Sequence, residues 1–432
     1  MLSKAPETER VWYTQYPSIE YLSAYRPGGY HPVDIGEVYH KRYRVLNKLG
    51  HGTFATVWLV KDLKSFPRRF LSLKIAIADA QHVSREIQII RHLRRYQQEN
   101  PLAAGGEYVL QVFDDFEIKG PNGTHQCIVS ELCGPSIRCE PWMIWNEDDE
   151  DKVDELEQPR KVGMVQRLIA QVTRGIAYLH KCGIVHGDLH KGNILLYSSK
   201  VAHCQSTKEL HQYFGRPNIH PITRFDNKPF VPSPHLPKRL TFPACPEIDG
   251  LFISMTDPSW IHIKICDFGE SFLSEAPPTT KLGTPLAFCA PEIIFHSITP
   301  PGPPTDIWAL ATLFYMVFTD EETPLFYMCN DEDQILVHMV RTLGKLPDVW
   351  WTRWEAREQH FDADGLTYRP GSCNIAPVFY PPSGLDAEIA AELDRIIRMM
   401  VRLEMSERIT ASGLIDVIPE NWMGDQVAQC HC

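Results

Sequence analysis

Hydrophobic residues along this chain follow two different periods. Residues 43–62, "YRVLNKLGHGTFATVWLVKD", form two apolar and β-branched runs around a glycine turn, which predicts a pair of strands. Residues 69–77 make a third short strand. "YVLQVFDDFEI" and "QCIVSEL" make two more, joined by the hairpin signal Pro121-Asn122-Gly123. In "QHVSREIQIIRHLRRY" the residues Val83, Ile87, Ile90 and Leu93 recur at the spacing of an amphipathic helix. Five strands and one helix make a small β-rich lobe.

The rest of the pattern is helical. "QRLIAQVTRGIAYLH" sets Leu168, Val172, Ile176 and Leu179 on one face. "DIWALATLFYMVF" is apolar on nearly all sides, as a helix at a domain centre would be, and "DAEIAAELDRIIRMMV" is amphipathic again. The expected fold class is α+β, with a small β-rich N-lobe and a larger helical C-lobe. Residues 1–42 read as an extended N-terminal arm, 43–132 as the N-lobe, 133–420 as the C-lobe and 421–432 as a tail. Residues 198–259 are polar, rich in Pro and His and weakly periodic, so they read as an insertion that is at least partly disordered. "NEDDEDKVDELE", residues 146–157, is an acidic run that reads as a solvated loop.

Composition narrows the function classes. The chain has 432 residues, 44% hydrophobic, with 43 Lys and Arg against 54 Asp and Glu, a net charge of −11. That balance disfavours nucleic acid as a direct ligand and favours basic partners. The 12 cysteines carry no paired CxxC spacing and fit reduced thiols; Cys430-His431-Cys432 lacks a second ligand pair. No apolar leader and no uninterrupted apolar run of about 18 residues occurs, so neither secretion nor a membrane span is expected. The sequon at Asn122 then reads as a turn.

Candidate chemistry lies in an ordered series of motifs. Gly50 and Gly52, in "GHGTFATV", allow backbone N–H groups to fold over phosphates without Cβ clashes. Lys74 follows on the third strand and Glu86 on the helix after it. "IVHGDLHKGNILL" holds Asp188 and Asn193 at the spacing H-x-D-x-x-x-x-N, which suits a base and a magnesium ligand. "IKICDFGES" supplies Asp267, "CAPE" supplies Glu292, Asp306 opens the apolar helix, and Arg408 is a candidate partner for Glu292.

On these residues the chain resembles the eukaryotic protein kinases from about residue 43 to 417. "HGDLHKGN" alone also looks like the loop of small-molecule kinases, but APE, Asp306 and Arg408 resemble peptide-substrate kinases. "YRPGGYHPVDIGEVYHKRYRVLNKLG" is similar to the lead-in segment of SR-protein kinases, which phosphorylate Arg/Ser-rich splicing factors. Those kinases also carry an insertion before the DFG strand, and here Asp188 and Asp267 are 79 residues apart. "DEDQILVHMVRTLGKLP" resembles their segment near an acidic docking groove.

The resemblance implies an ATP- and Mg2+-dependent serine/threonine kinase, monomeric, in cytoplasm or nucleus, acting on basic or Arg/Ser-rich protein. It implies Asp188 as base, with Lys74 held by Glu86 on the phosphates, and Asn193 and Asp267 on metal. Leu49, Val57 and Leu195 would flank adenine, and backbone from Glu131 to Cys133 would bond its edge. Gly50 and Gly52 would cover the phosphates.

Several positions depart from the family pattern. His190 stands where a Lys would touch the transferred phosphate, Gly187 where an Arg would read a phosphorylated loop, and Ala55 where a third glycine is usual. Cys289 replaces an Arg of the SR-kinase relatives, and "GTPLAFCAPE" has one residue more than usual. Ser130 is the expected gatekeeper, with Ser72 beside it. These departures keep open a pseudokinase scaffold that binds partners without efficient transfer.

Overall fold

The computed structural model describes residues 16–79, 83–138, 157–226, 228–246, 248, 251–253, 257, 260–319, 324–326, 331–365 and 385–423. The acidic run up to residue 156 and the Cys430-His431-Cys432 tail lie outside these residues. The strands are β1 (Val38–Tyr39), β2 (Tyr43–His51), β3 (Ala55–Asp62), β4 (Arg69–Ala76), β5 (Val112–Gly120), β6 (Gly123–Glu131), β7 (Ile184–Val185), β8 (Ile194–Leu196), β9 (Asn218–His220), β10 (Leu240–Phe242), β11 (Ile263–Ile265) and β12 (Phe272–Leu273). The helices are α1 (Val83–Glu99), α2 (Glu157–Lys181), α3 (Ser199–Ala202), α4 (Thr207–Phe214), α5 (Pro291–Ile294), α6 (Pro303–Thr319), α7 (Glu332–Leu343), α8 (Asp348–Trp351), α9 (Ala387–Met400), α10 (Ala411–Val417) and α11 (Glu420–Met423). No helix among the described residues is long and apolar enough to cross a membrane.

The chain divides into two compact units. One comprises Met1–Ser84, Gln111–Cys133 and Ser199–Glu247; the other comprises Arg85–Leu110, Gly134–Ser198 and Ile248–Cys432. The first unit is built on a six-stranded antiparallel sheet in the order β1-β2-β3-β4-β6-β5. Its strands follow the apolar runs, and Tyr43, Val45, Trp58, Leu73 and Val129 form one buried cluster. The β5–β6 hairpin closes at the pair Gly120 and Gly123, around the predicted Pro-Asn turn.

The first unit also takes in two segments that carry little periodic signal. Part of the insertion folds as α3, α4 and the antiparallel pair β9–β10. Ile19, Leu22, Tyr25 and Tyr30 of the N-terminal arm join Ile222 and Leu240 of the insertion in a second buried cluster. Glu20 pairs with Lys48 of β2 inside the protein, and Tyr25 donates its hydroxyl to Glu20. Asn122 is 2% exposed. Its amide donates to Tyr30 O at 2.6 Å and to His235 O at 3.0 Å, and its oxygen meets His235 Nδ1 at 2.6 Å. The sequon asparagine is thus an internal lock between arm, hairpin and insertion, with no face open to modification.

The same unit buries a pair of imidazoles. His31 and His125 lie with ring centroids 4.9 Å apart, and His31 is 5.7 Å from the ring of Tyr39. His125 Nδ1 bonds Ala76 O at 2.8 Å; His31 Nδ1 and His125 Nε2 find no hydrogen-bond partner among the described residues. Burial, and secondarily the neighbouring His125, pushes the pKa of His31 down to about 4. An unfolded His31 protonates near its ordinary value, so the unfolded chain binds more protons between these pH values. Stability is therefore expected to fall from about pH 6.5 to pH 4, by about 3 kcal/mol from this residue. Urea unfolding across that range should show the loss in the wild type and a shallower slope in His31→Phe. Equal slopes would exclude His31 as the source.

The second unit is the helical one. Helix α6 is buried almost throughout, as its all-round apolar pattern predicts. On α9 the buried residues Leu393, Ile396, Ile397 and Met400 make a single stripe, and Asp386 caps its start by accepting from Glu388 N and Ile389 N. Helix α1 groups with this unit, where its His92 Nε2 meets Cys182 O at 2.9 Å.

Candidate active site

The loop after β7 is organised from beneath by one carboxylate. Asp306, at the start of α6, accepts from His186 N at 2.8 Å and Gly187 N at 2.9 Å, and meets His180 Nε2 at 2.9 Å. Burial would raise its pKa, but His180 first, then His186 and the Gly187 amide, hold it below the ordinary aspartate value. Asp306 is thus a fixed anion under the loop. Gly187 has φ +77°, and a Cβ there would sit 2.8 Å from Glu270 O. The position therefore needs glycine, for conformation and for space.

This support aims the following residues. Asn193 Nδ2 donates to Asp188 O at 2.8 Å and to Asp188 Oδ2 at 3.2 Å. Asp188 Oδ1 is buried and has no hydrogen-bond partner among the described residues. A carboxylate held by one oxygen, with its other oxygen unsatisfied, is prepared to accept a proton or a hydroxyl. His190 Nδ1 accepts from Gly192 N at 2.9 Å, which puts the ring proton on Nε2. That nitrogen stands 3.6 Å from Asp188 Oδ2, too far for a hydrogen bond.

Strand pairing crosses the long insertion. Strands β8 and β11 are antiparallel, with Ile194 opposite Ile265 and Leu195 opposite Lys264, and Cys266 N donates to Asn193 O at 2.9 Å. Asn193 and Asp267 therefore flank the same end of one ribbon. Asp267 is exposed, with φ +64°, unusual for a residue other than glycine. With the Asn193 nitrogen committed to Asp188, the Asn193 oxygen and the Asp267 carboxylate are oxygen donors of the kind a hard divalent cation takes. Among the described residues no cluster of three or more His, Cys, Asp or Glu could hold a metal.

The segment beyond DFG is held internally. Thr284 Oγ1 donates to Gly187 O at 2.6 Å, Ser271 Oγ to His186 O at 2.8 Å, and Gly283 N to Glu270 Oε2 at 3.0 Å. Glu292 and Arg408 form a fully buried bidentate pair, at 2.6 and 2.8 Å. Cys289 is buried, and burial pushes its thiol up to about 12, so it packs as an inert side chain. Sequence reasoning named Asp188, Asn193, Asp267, Asp306, Glu292 and Arg408, and anticipated the Glu292–Arg408 pair. It missed His180, Ser271, Thr284 and Glu270, whose residue types and spacing carry no local signal.

In the first unit, register brings a second set together. Gly50 pairs with Val57, Val57 with Lys74, and Lys74 with Ile128, a single row across β2, β3, β4 and β6. Val57 and Lys74 are half-buried on that row, and Leu49 is half-buried in the adjoining bulge of β2. Ser72 and Ser130 face each other across β4 and β6 with their hydroxyls 2.6 Å apart. Glu131 and Cys133 are buried, and Glu131 Oε1 accepts from Gln111 N at 2.7 Å. Glu86 is 4% exposed, on α1 of the second unit.

Comparison with known proteins places the chain in a family. The family profile of the protein kinase domain matches residues 43–205 and 251–420, leaving out most of the insertion. The chain is 37% identical to human SRSF protein kinase 3 over 173 residues, which are 40% of this chain but only 28% of that protein. It is 26% identical to the serine/threonine-protein kinase SRPK of Physarum polycephalum over 413 residues, 91% of this chain and 89% of that one. The crystal structure of the PF14_0431 kinase domain superposes with a TM-score of 0.56 at 13% identity, covering 91% of this chain and 98% of that one, a likeness of fold. The chain belongs to the protein kinase family, and its relatives are of the SR-protein-kinase type.

Proposed function

We propose that the chain is a serine/threonine protein kinase, dependent on ATP and Mg2+, acting on basic, Arg/Ser-rich protein. The observation that carries this reading is Asp188: clamped by Asn193 through one side, with Oδ1 buried and unsatisfied. Asp188 orients an acceptor hydroxyl and takes its proton as the phosphoryl group transfers. Lys74, with Glu86 as its partner, holds phosphate oxygens, and Gly50 and Gly52 allow the backbone to close over them. Leu49, Val57 and Leu195 flank adenine, and Glu131 to Cys133 present backbone groups to its edge. Asn193 and Asp267 hold the metal, which neutralises charge on the phosphates when bound.

His190, held through Nδ1 by Gly192 N, presents its ring beside Asp188 in the seat of the family's lysine. The internal bonds of Thr284, Ser271 and Glu270 support a segment that needs no phosphate to order it. The net charge of −11 supports a basic substrate, and SRSF protein kinase 3 is by its name a kinase of that class.

A single-turnover assay with γ-labelled ATP, magnesium and an Arg/Ser-rich peptide tests the reading. Label should enter the peptide, and transfer should weaken as salt rises if docking is electrostatic. Nucleotide binding with no label in any protein acceptor would instead favour a scaffold. Label in sugar or choline but not in peptide would favour a small-molecule kinase.

A further inference from the structure

The tip of the turn between β2 and β3 is exposed and carries Gly52, Thr53 and Phe54. Gly52 in the tip, and Gly50 near the end of β2, make it permissive rather than rigid. Yet three successive carbonyls there are bonded. Tyr30 Oη lies 2.7 Å from Gly52 O and 3.1 Å from Thr53 O, one O–H shared between two acceptors. Ile77 N donates to Phe54 O at 2.9 Å.

Tyr30 is delivered from a fixed platform. It is 6% exposed, its N–H donates to Ala24 O at 3.1 Å, and its ring packs 5.5 Å from that of Tyr25. The carbonyls of Gly28 and Gly29, just before it, accept from Asp79 N at 2.9 Å and Ala78 N at 3.1 Å, immediately beyond β4. The arm is thus stitched to the same sheet that carries the turn.

Peptide planarity gives this contact a consequence. In a trans peptide the C=O and the next N–H point in opposite directions. Drawing the carbonyls of Gly52 and Thr53 to one hydroxyl therefore turns the amides of Thr53 and Phe54 to the opposite side, next to each other. Successive amides facing one way make a concavity for an anion. We infer that Tyr30 is a positioning residue for nucleotide phosphate: its hydroxyl presets the Thr53 and Phe54 amides before any nucleotide arrives. Ala55 in place of a third glycine agrees with a loop that is held in one shape rather than one that samples many. The inference rests on the kinase reading above.

The test is Tyr30→Phe in the full chain, which keeps the ring and removes only the hydroxyl. Affinity for magnesium-ATP is expected to fall about fivefold, the scale of one hydrogen bond. Affinity for adenosine, which has no phosphate, should stay unchanged. Unchanged ATP affinity, or an equal loss for adenosine, would each overturn the role of Tyr30 while leaving the kinase reading intact. A wild type that binds adenosine but not magnesium-ATP would overturn both together.

Discussion

Replacing Asp188 by alanine is expected to lower the rate of phosphate transfer by about 10²–10⁴-fold, the usual contribution of a positioned general base. The substitution removes the buried Oδ1 that would meet the acceptor hydroxyl. It also frees Asn193, whose amide keeps only its bond to the Asp188 backbone oxygen. Nucleotide affinity should change little, because the phosphate-holding groups assigned here, Lys74 and the glycine turn, lie on a different part of the chain. The separation matters: a loss of kcat with near-normal ATP binding marks chemistry, whereas a parallel loss of both marks misfolding. Asp188→Asn is the sharper companion. It keeps the volume but sets an amide beside the Asn193 amide and cannot accept a proton at neutral pH. Steady-state transfer to the Arg/Ser-rich peptide within tenfold of wild type, for either variant, would remove Asp188 as the base.

Arg408→Ala carries the largest expected effect on stability, a loss of about 3–5 kcal/mol. Glu292 would be left as a buried carboxylate without its countercharge. The remaining hydroxyl of Thr305, 2.9 Å from Glu292 Oε1, cannot replace two guanidinium bonds. Arg408 also donates to Arg402 O at 2.7 Å and Pro304 O at 3.0 Å, and its guanidinium lies 4.9 Å from the ring of Trp308. Arg408→Lys should therefore be costly too, because a single ammonium cannot hold this planar set of acceptors. Removing both charges, in Glu292→Gln with Arg408→Met, should recover part of the loss, since the penalty arises from the orphaned charge. Urea unfolding of the three variants beside the wild type measures the series. A single Arg408→Ala variant as stable as wild type would show that the pair contributes nothing net.

The legible part of the fold was the part with a strong local period. Strands β2 to β6 and helices α1, α2, α6 and α9 all lie where the alternation or the helical stripe put them. The arm and the insertion were not legible in the same way. Their aromatic and aliphatic residues, Tyr25, Tyr30, Ile222 and Leu240, are irregularly spaced, so neither segment shows an amphipathic face by itself. They gain a face only when they meet, and the insertion accordingly read as more disordered than the helices and paired strands it contains.

The candidate site divides along the same line. Sequence alone determined which groups are present and in what order: Gly50, Lys74, Glu86, Asp188, Asn193 and Asp267 could be named because motif spacing is a property of short stretches. It also determined that His190 is not a lysine. Only the tertiary structure decided how these groups are held. It placed Asp306 under His186 and Gly187, Asn193 beside the DFG strand across a long insertion, Arg408 on Glu292, and the Tyr30 hydroxyl on the glycine turn. The physical reason is that periodicity and turn chemistry act within a few residues. A buried charge or an orphaned carbonyl instead takes whichever partner the packed chain brings within about 3 Å, at any sequence distance.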